Sequence, residues 1–481
     1  MGNPSIDMIK SMLDQLGSTG NAGKIGVAIT EYNRYDVFKK SYAEIKRLLP
    51  PDAAFEVVDD GSDKPFPEAT FRFEKNRGIA AAKNKCLELL YLQGCEHFFL
   101  FDSDTHPLAE NWFVPYMESK EPHLNYIFQD FATGKKLNDC KEIYRDSEKV
   151  AYSHVRGCML YFKRVCLEKV GGMDTVFGKW GHEHPNLSDR IYMAGLTSFR
   201  YMDVPNSKGL IYSGDEHETV KTTVAGAERK AMLAQNNPIF EANRFDKSFK
   251  PFIEKKNAIL TCYFTGVVDP QRKEKWVAKA SDLDALIASA SKSSVELVVL
   301  HDCFSDEDER DVPGLVRFVR VETSVNPYAQ RWISYRNWLR ENAELYEHII
   351  CVDATDVEVL REPEWANIGE RLIVGDEVQV VGCDWMVKKH QGKTLQDFFK
   401  ANAQRQLINA GVMGGKVSTV LEFMRQLIDF YCLDQMGETD MGMFNYIAYS
   451  NWNERLFFGR QITTVFKAED KNDKIAWFKH K

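Results

Sequence analysis

Two aspartates, Asp102 and Asp104, follow a run of four apolar residues from Phe98 to Phe101. A run this apolar reads as a short strand buried on both faces. The chain then leaves the core carrying carboxylates at i and i+2, which point the same way if the segment stays extended. Their repulsion is relieved by a cation between them. Mg2+ and Mn2+ favour oxygen ligands and are commonly held by one or two carboxylates plus substrate phosphates, so the pair predicts a site for a phosphorylated small molecule. The alternative is a solvated acidic turn.

The elements around this pair repeat a pattern. Ile25 to Thr30 reads as a buried strand running into Glu31-Tyr32-Asn33-Arg34, with a helix from about Val37 to Leu49. A second strand, Phe55 to Val58, ends in Asp59-Asp60-Gly61-Ser62, for which an Asx turn is the alternative to a binding role. A third, Thr70 to Phe73, precedes Asn76-Arg77-Gly78 and a helix from Ile79 to Leu92 that carries Lys83 and Asn84. Strands alternating with helices predict a mostly parallel sheet, in which ligands bind beyond the carboxyl ends of the strands. Each polar cluster falls at such an end. Further on, Gly157 to Phe162 is another apolar strand, followed by Gly171-Gly172-Met173-Asp174 and then by the segment Trp180 to Arg190.

At 481 residues, 44% of them hydrophobic, the chain is long enough for two or three domains. A formal charge of −8 with interleaved signs weighs against a partner held through nucleic-acid phosphates. No apolar run approaches the roughly 20 residues of a spanning helix, and the start has no signal-type apolar core. Ten cysteines without a Cys-x-x-Cys pair, several of them (Cys86, Cys158, Cys262, Cys351) in apolar segments, suit reduced core thiols. The expectation is a soluble, cytoplasmic protein.

Thr30-x-Tyr32-Asn33, Val58-Asp59-Asp60-Gly61-Ser62, Asn76-Arg77-Gly78 with Lys83-Asn84, and Phe101-Asp102-Ser103-Asp104 occur in an order that resembles the nucleotide-sugar half of GT-A glycosyltransferases, especially the inverting family with hyaluronan and chondroitin synthases. The resemblance covers roughly Ile25 to His217. It implies that Thr30, Tyr32, Asp59 or Asp60, and Arg77 contact the nucleoside, that Lys83 meets the ribose or diphosphate, and that Asp104 with Asp102 holds Mn2+ or Mg2+. Trp180-Gly181-His182-Glu183 resembles the Trp-Gly-x-Glu-Asp acceptor motif of galactosyl- and N-acetylgalactosaminyltransferases. That implies Glu183 as the base taking a proton from the acceptor hydroxyl, with Trp180, Gly181 and His184 on the acceptor. His184 and Asn186 stand where acidic residues are usual. A His182/Glu183/His184 metal cluster is the alternative, although its spacing fits no standard zinc site. The family often takes a late histidine as third metal ligand; His217 is the candidate, with His106 behind it.

The second half keeps step with the first. Asn337 follows Asn84 by 253 residues, Asp353 follows Asp102 by 251, and Gly414 follows Gly171 by 243, so a helix-then-acidic-strand unit recurs at nearly constant offset. Asp353 and Asp356 are the candidate second metal pair, or else caps of a turn. Asn409-Ala410-Gly411 and Glu438-Thr439-Asp440 resemble the donor-sugar segments of glycogenin-type and galactosyltransferase-type enzymes. This implies donor contacts from Asn409 and Gly411, a catalytic role for Asp440, and His480 as a possible closing ligand.

The expectation is therefore an α/β chain of two Rossmann-like GT-A domains, each a mostly parallel sheet flanked by helices. An N-terminal helix and lead-in would occupy 1–23, domain 1 24–224, a helical connector 225–256 and domain 2 257–481. The implied activity is bifunctional transfer from a nucleotide-sugar donor, UDP-type, to a carbohydrate, glycoprotein or other hydroxyl acceptor. The alternative keeps one active domain, with the other as an acceptor-binding or homodimer-forming module. A sugar-nucleotide pyrophosphorylase would need a glycine-rich basic loop where Glu31-Tyr32-Asn33-Arg34 stands, and a non-catalytic carbohydrate-binding protein is the remaining rival.

Overall fold

A computed structural model describes residues 23–137, 139–219, 226–305, 315–433, 438–465 and 473–480; the expected N-terminal helix lies outside them. The chain divides into two units between Glu254 and Lys255. Each is a Rossmann-like α/β unit with a sheet of mostly parallel strands flanked by helices.

In the first unit, β1 (Ile25–Glu31), α1 (Tyr35–Arg47), β2 (Ala54–Asp59), β3 (Phe71–Arg72), α2 (Ile79–Leu92) and β4 (His97–Phe101) alternate along the chain. After β5 (Thr105–Pro107) come β6 (His123–Asn125) and β7 (Met159–Lys163), then α3 (Glu183–Met193), β8 (Ile211–Ser213) and α4 (Gly226–Ala242). The sheet order is β3-β2-β1-β4-β7-β6. The first four strands are parallel, while β7 runs antiparallel to both β4 and β6. The central strand β4 explains its own sequence. Phe99 and Phe101 join one core and Phe98 and Leu100 the other, because successive side chains leave opposite faces and both faces are covered.

The second unit repeats the plan with β9 (Lys256–Tyr263), β10 (Glu296–His301), β11 (Val316–Arg320), α5 (Pro327–Asn342) and β12 (Tyr346–Asp353). Then follow β13 (Val357–Val359), β14 (Leu372–Val380), β15 (Gln406–Lys416), α6 (Met441–Asn451), β16 (Leu456–Phe457) and β17 (Phe478–His480). Its order, β11-β10-β9-β12-β15-β14-β16, matches the first sheet strand for strand and adds one edge strand. Again the strand before the acidic residues divides its side chains between two cores: Ile349 and Cys351 in one, Ile350 and Val352 in the other.

The ten cysteines are all unpaired, and Cys86, Cys158 and Cys351 are buried. Among the described residues no helix is long and apolar enough to cross a membrane. Residues 226–254, expected to be part of a connector, belong to the first unit.

Phe99 is fully buried and packs its ring on Trp112 (4.7 Å) and Tyr161 (4.9 Å). Phe99→Ala should destabilise the first unit by about 3–5 kcal/mol, through lost transfer energy and the cavity left behind, as read from urea unfolding.

Candidate functional site

The acidic segment after β4 is a turn and not an extended continuation: the Thr105 amide donates to the Asp102 carbonyl at 3.0 Å. The i, i+2 geometry expected from the sequence is therefore corrected, because β5 reverses the chain to pair antiparallel with β8, Thr105 opposite Ser213. That pairing, with the Gly214 amide donating to the Asp104 carbonyl at 2.9 Å, brings Asp215 alongside Asp104. Burial raises the Asp104 pKa to about 6, and the Asp215 and then the Asp102 carboxylates push the same way while Arg34 opposes them. Asp104 Oδ2 is buried and accepts no hydrogen bond, with an Arg34 guanidinium nitrogen 3.3 Å away. Asp102 pairs with the fully buried Lys83 ammonium at 2.6 Å, which also donates to the Gly157 carbonyl at 2.8 Å.

A cavity of about 300 Å3 opens at these strand ends. Thr30, Glu31, Tyr32 and Arg34 from the β1 end, Asp60, Asp102 and Ser103 line it, as do Lys179 and Trp180, Asp215, and Glu228 and Arg229 of α4. Of the two neighbouring aspartates, Asp60 reaches the cavity and holds its floor, accepting from the Arg77 and Gly78 amides at 2.7 and 2.9 Å. Asp59 is buried in the turn, accepting from the Ser62 and Phe66 amides and from Arg72. Arg77 is half-exposed over Phe73 and does not line the cavity. Glu31 sits at the cavity edge with Oε1 accepting from the Arg34 amide at 2.7 Å; burial raises its pKa to about 7.

The Trp180 loop reaches the cavity from the other side. Gly78, at φ +95°, allows it to approach, since a Cβ there would lie 2.6 Å from the Gly178 carbonyl oxygen. Glu183 opens α3 and is buried. Burial raises its pKa to about 6, against backbone amides and Lys83 that favour the carboxylate. Its Oε1 lies 3.3 Å from His184 Nε2, and burial drives the His184 pKa well down, so the ring is neutral. His182 is drawn away from this pair to stack on Phe240. His217 is exposed, stacks on Tyr212 at 4.6 Å and does not line the cavity. His106 is buried against the other face of Tyr212's ring region, with Nδ1 3.3 Å from Ser41 Oγ.

In the second unit the carboxylates are organised by a cation that the sequence did not single out. Arg331, on α5, sits between Asp353 (2.8 Å) and Asp440, donating Nε–H to Asp440 Oδ2 at 2.8 Å. Trp332 Nε1–H also donates to Asp440 Oδ2 at 2.8 Å. Burial opposes the Arg331 charge, but Asp440 and Asp353 outweigh it and raise its pKa. His480 is held in β17 opposite Val357, buried, with Nε2 3.9 Å from Asp353 Oδ2. Burial lowers its pKa, and Asp353 and Asp356 act against this. Gly411 lies under this group; a Cβ there would meet Asp353 Oδ2 at 2.6 Å. Asn409 Oδ1 accepts from the Gly411 amide at 2.6 Å and fixes that backbone. Asp356 accepts from Thr355 in the turn.

Among the described residues no group of three or more His, Cys, Asp or Glu is placed to hold a metal ion. Asp102 and Asp104, with the bare Asp104 Oδ2 and Asp215 beside it, are an all-oxygen set of the kind that holds Mg2+ or Mn2+ when ligand phosphates complete the shell. In the structure Lys83 and Arg34 already stand on Asp102 and Asp104. Arg34, Asp215, Arg229 and Arg331 had no role in the sequence reading. Arg34 and Asp215 stand inside segments that were singled out, Glu31 to Arg34 and Ser213 to His217, whereas nothing local marks Arg229 or Arg331.

Residues 142–211, which contain the Trp180 loop and α3, match the family model described as the N-terminal domain of galactosyltransferase. An uncharacterized glycosyltransferase of Acanthamoeba polyphaga mimivirus is 26% identical over 212 residues, spanning 39% of this chain and 80% of the relative. Both likenesses support a glycosyltransferase.

Arg331→Met should cost about 3–5 kcal/mol in urea unfolding of the second unit, because it strands a buried Asp440 carboxylate. Adding Asp440→Asn should recover at least half of that loss by removing the unpaired charge.

Proposed function

We propose that this chain is a bifunctional, divalent-metal-dependent glycosyltransferase that moves hexosyl groups from UDP-sugars to hydroxyl acceptors in the cytoplasm, one reaction in each unit. The observation that carries this reading is the cavity at the carboxyl ends of β1, β2 and β4, which gathers Tyr32, Arg34, Asp60, Asp102 and Asp215 on one side and Trp180 on the other. A pocket of this size, with a few placed polar groups at the end of a parallel sheet, suits a nucleotide.

In the first unit, Thr30, Tyr32 and Asp60 would take the nucleoside and Arg34 the diphosphate. Asp102 and Asp104 would hold the cation, with Asp215 or His217 as a further ligand. When bound, the cation neutralises charge on the departing diphosphate. Lys83 fixes the Asp102 carboxylate and adds positive charge behind it. Trp180, Gly181 and His184 face the acceptor, whose hydroxyl gives its proton to Glu183. The acceptor oxygen then bonds to the anomeric carbon, and the carbon–oxygen bond to the diphosphate breaks, releasing UDP. In the second unit Asp353, Asp356 and His480 would be the matching cation ligands. Asn409 and Gly411 approach the donor sugar, and Asp440 is the catalytic carboxylate, oriented by Arg331.

A panel of UDP-glucose, UDP-galactose, UDP-N-acetylgalactosamine, UDP-glucuronate and GDP-mannose, assayed with Mn2+ for UDP or GDP release, tests this. Asp104→Ala and Asp353→Ala should each abolish release of a different donor by about 100-fold or more, the loss expected when several kcal/mol of charge stabilisation is removed. A chain that releases nothing from any donor overturns the assignment; loss confined to Asp104→Ala leaves one active unit.

Glu183 must be ionised to accept a proton, so first-unit turnover should fall as pH drops through about 6 and level off above it. Glu183→Gln should lower kcat by about 100-fold or more on the plateau above about pH 6, with the deficit relative to wild type shrinking as pH falls below about 6.

A further inference from the structure

The Trp180 loop is gripped by α4, the helix whose first turns also line the cavity through Glu228 and Arg229. Asn236, on α4, is buried, and its amide nitrogen lies 2.8, 2.9 and 3.3 Å from the carbonyl oxygens of Phe177, Trp180 and Gly181. Three carbonyls of one loop therefore share the two hydrogens of one side chain. One residue on, Asn237 Oδ1 accepts from His182 Nε2 at 2.6 Å, and Phe240 lies flat on the His182 ring, centroids 4.4 Å apart and planes 4° from parallel. At the start of the same helix the Arg229 guanidinium stacks over the Trp180 ring at 4.4 Å.

These contacts converge on one strained residue. His182 has φ +73°, a left-handed conformation that a residue with a Cβ adopts only when its surroundings hold it there. It is the residue before Glu183, and its carbonyl accepts the first hydrogen bond of α3, from the Asn186 amide at 2.9 Å. The backbone turn at His182 thus decides where the Glu183 carboxylate leaves the helix. Toward α2 the loop is tied by the Ile79 amide donating to the Lys179 carbonyl at 3.2 Å.

We infer that α4 is a splint for the acceptor loop, with Asn236 as a positioning residue that holds Phe177 to His182 in the conformation presenting Glu183, seconded by Asn237 and Phe240. This rests on the proposed role of Glu183 and adds to it. A segment that reads as a connector becomes part of the catalytic apparatus, acting through backbone carbonyls without touching substrate. A misplacement of about 1 Å in a reacting group can cost on the order of 100-fold in rate, whereas the nucleoside contacts of Thr30, Tyr32 and Asp60 lie on other elements and should be indifferent to it.

The test uses the full chain with Mn2+ and whichever panel donor Asp104→Ala abolishes. Asn236→Leu removes the amide at similar volume; Asn237→Ala is an exposed change that leaves the core intact. Expected are kcat losses of at least about 30-fold for Asn236→Leu and about 5-fold for Asn237→Ala. UDP affinity by calorimetry should stay within about threefold of wild type, and trypsin should cut faster after Lys179 in both variants. Unchanged kcat in both overturns the inference, as does a parallel loss of UDP affinity, which would mean a general loss of structure. If Asn236→Leu does not fold, Asn237→Ala alone decides. A wild-type chain without turnover refutes the function reading instead, so the two failures are distinguishable.

Discussion

The first unit is organised around a repulsion. Three aspartates, the buried Asp104 with the partly exposed Asp102 and the exposed Asp215, lie close together where β4 leaves the sheet, and burial of Asp104 weakens the water that would otherwise screen it. Two resident cations answer part of this charge: Lys83 closes on Asp102, and Arg34 stands beside Asp104. Asp104 keeps a raised pKa, chiefly because it is buried, with Asp215 and Asp102 adding to the rise and Arg34 opposing it. The cavity, its basic rim and the acidic turn are consistent with one another if a cationic and phosphorylated ligand completes the arrangement.

The second unit meets the same constraint with a different residue. Its sheet has the same order, and its acidic residues also follow the central strand, yet here a buried arginine, Arg331, lies between Asp353 and Asp440. Both units also use one topological device. A short strand after the acidic residues pairs antiparallel with a late segment of the chain, β5 with β8 and β13 with β17. In the first unit this delivers Asp215 beside Asp104; in the second it delivers His480 beside Asp353. The pairing places distant residues next to the carboxylates through backbone hydrogen bonds, which tolerate changes in side chain.

The loop from Gly178 to His182 ties backbone strain to the placement of Glu183. His182 is held left-handed by contacts from α4, and Glu183 follows directly as the first residue of α3. Burial then raises the Glu183 pKa toward the pH at which a carboxylate serves as a base. One tertiary arrangement thus sets both the position and the proton affinity of the side chain.

Much of this was legible in the chain itself. Apolar runs such as Phe98 to Phe101 announce strands covered on both faces, because a strand buried on both sides lacks polar alternation, and the polar clusters after them announce the ligand edge. The constant spacing between Asn84 and Asn337 and between Asp102 and Asp353 announced the duplicated plan. Other features were decided only by the folded chain. Whether Asp59 or Asp60 faces the cavity depends on two turns, one closing Asp59 onto the Ser62 amide and the other holding Asp60 under the Arg77 and Gly78 amides at the cavity. Asp215, Arg229 and Arg331 reach their sites through strand pairing and helix packing between residues far apart in sequence, and local composition carries no record of such distances. The sequence thus determined which strands exist and where charge leaves the core; tertiary structure decided which charges meet, because that depends on long-range register and not on neighbouring residues.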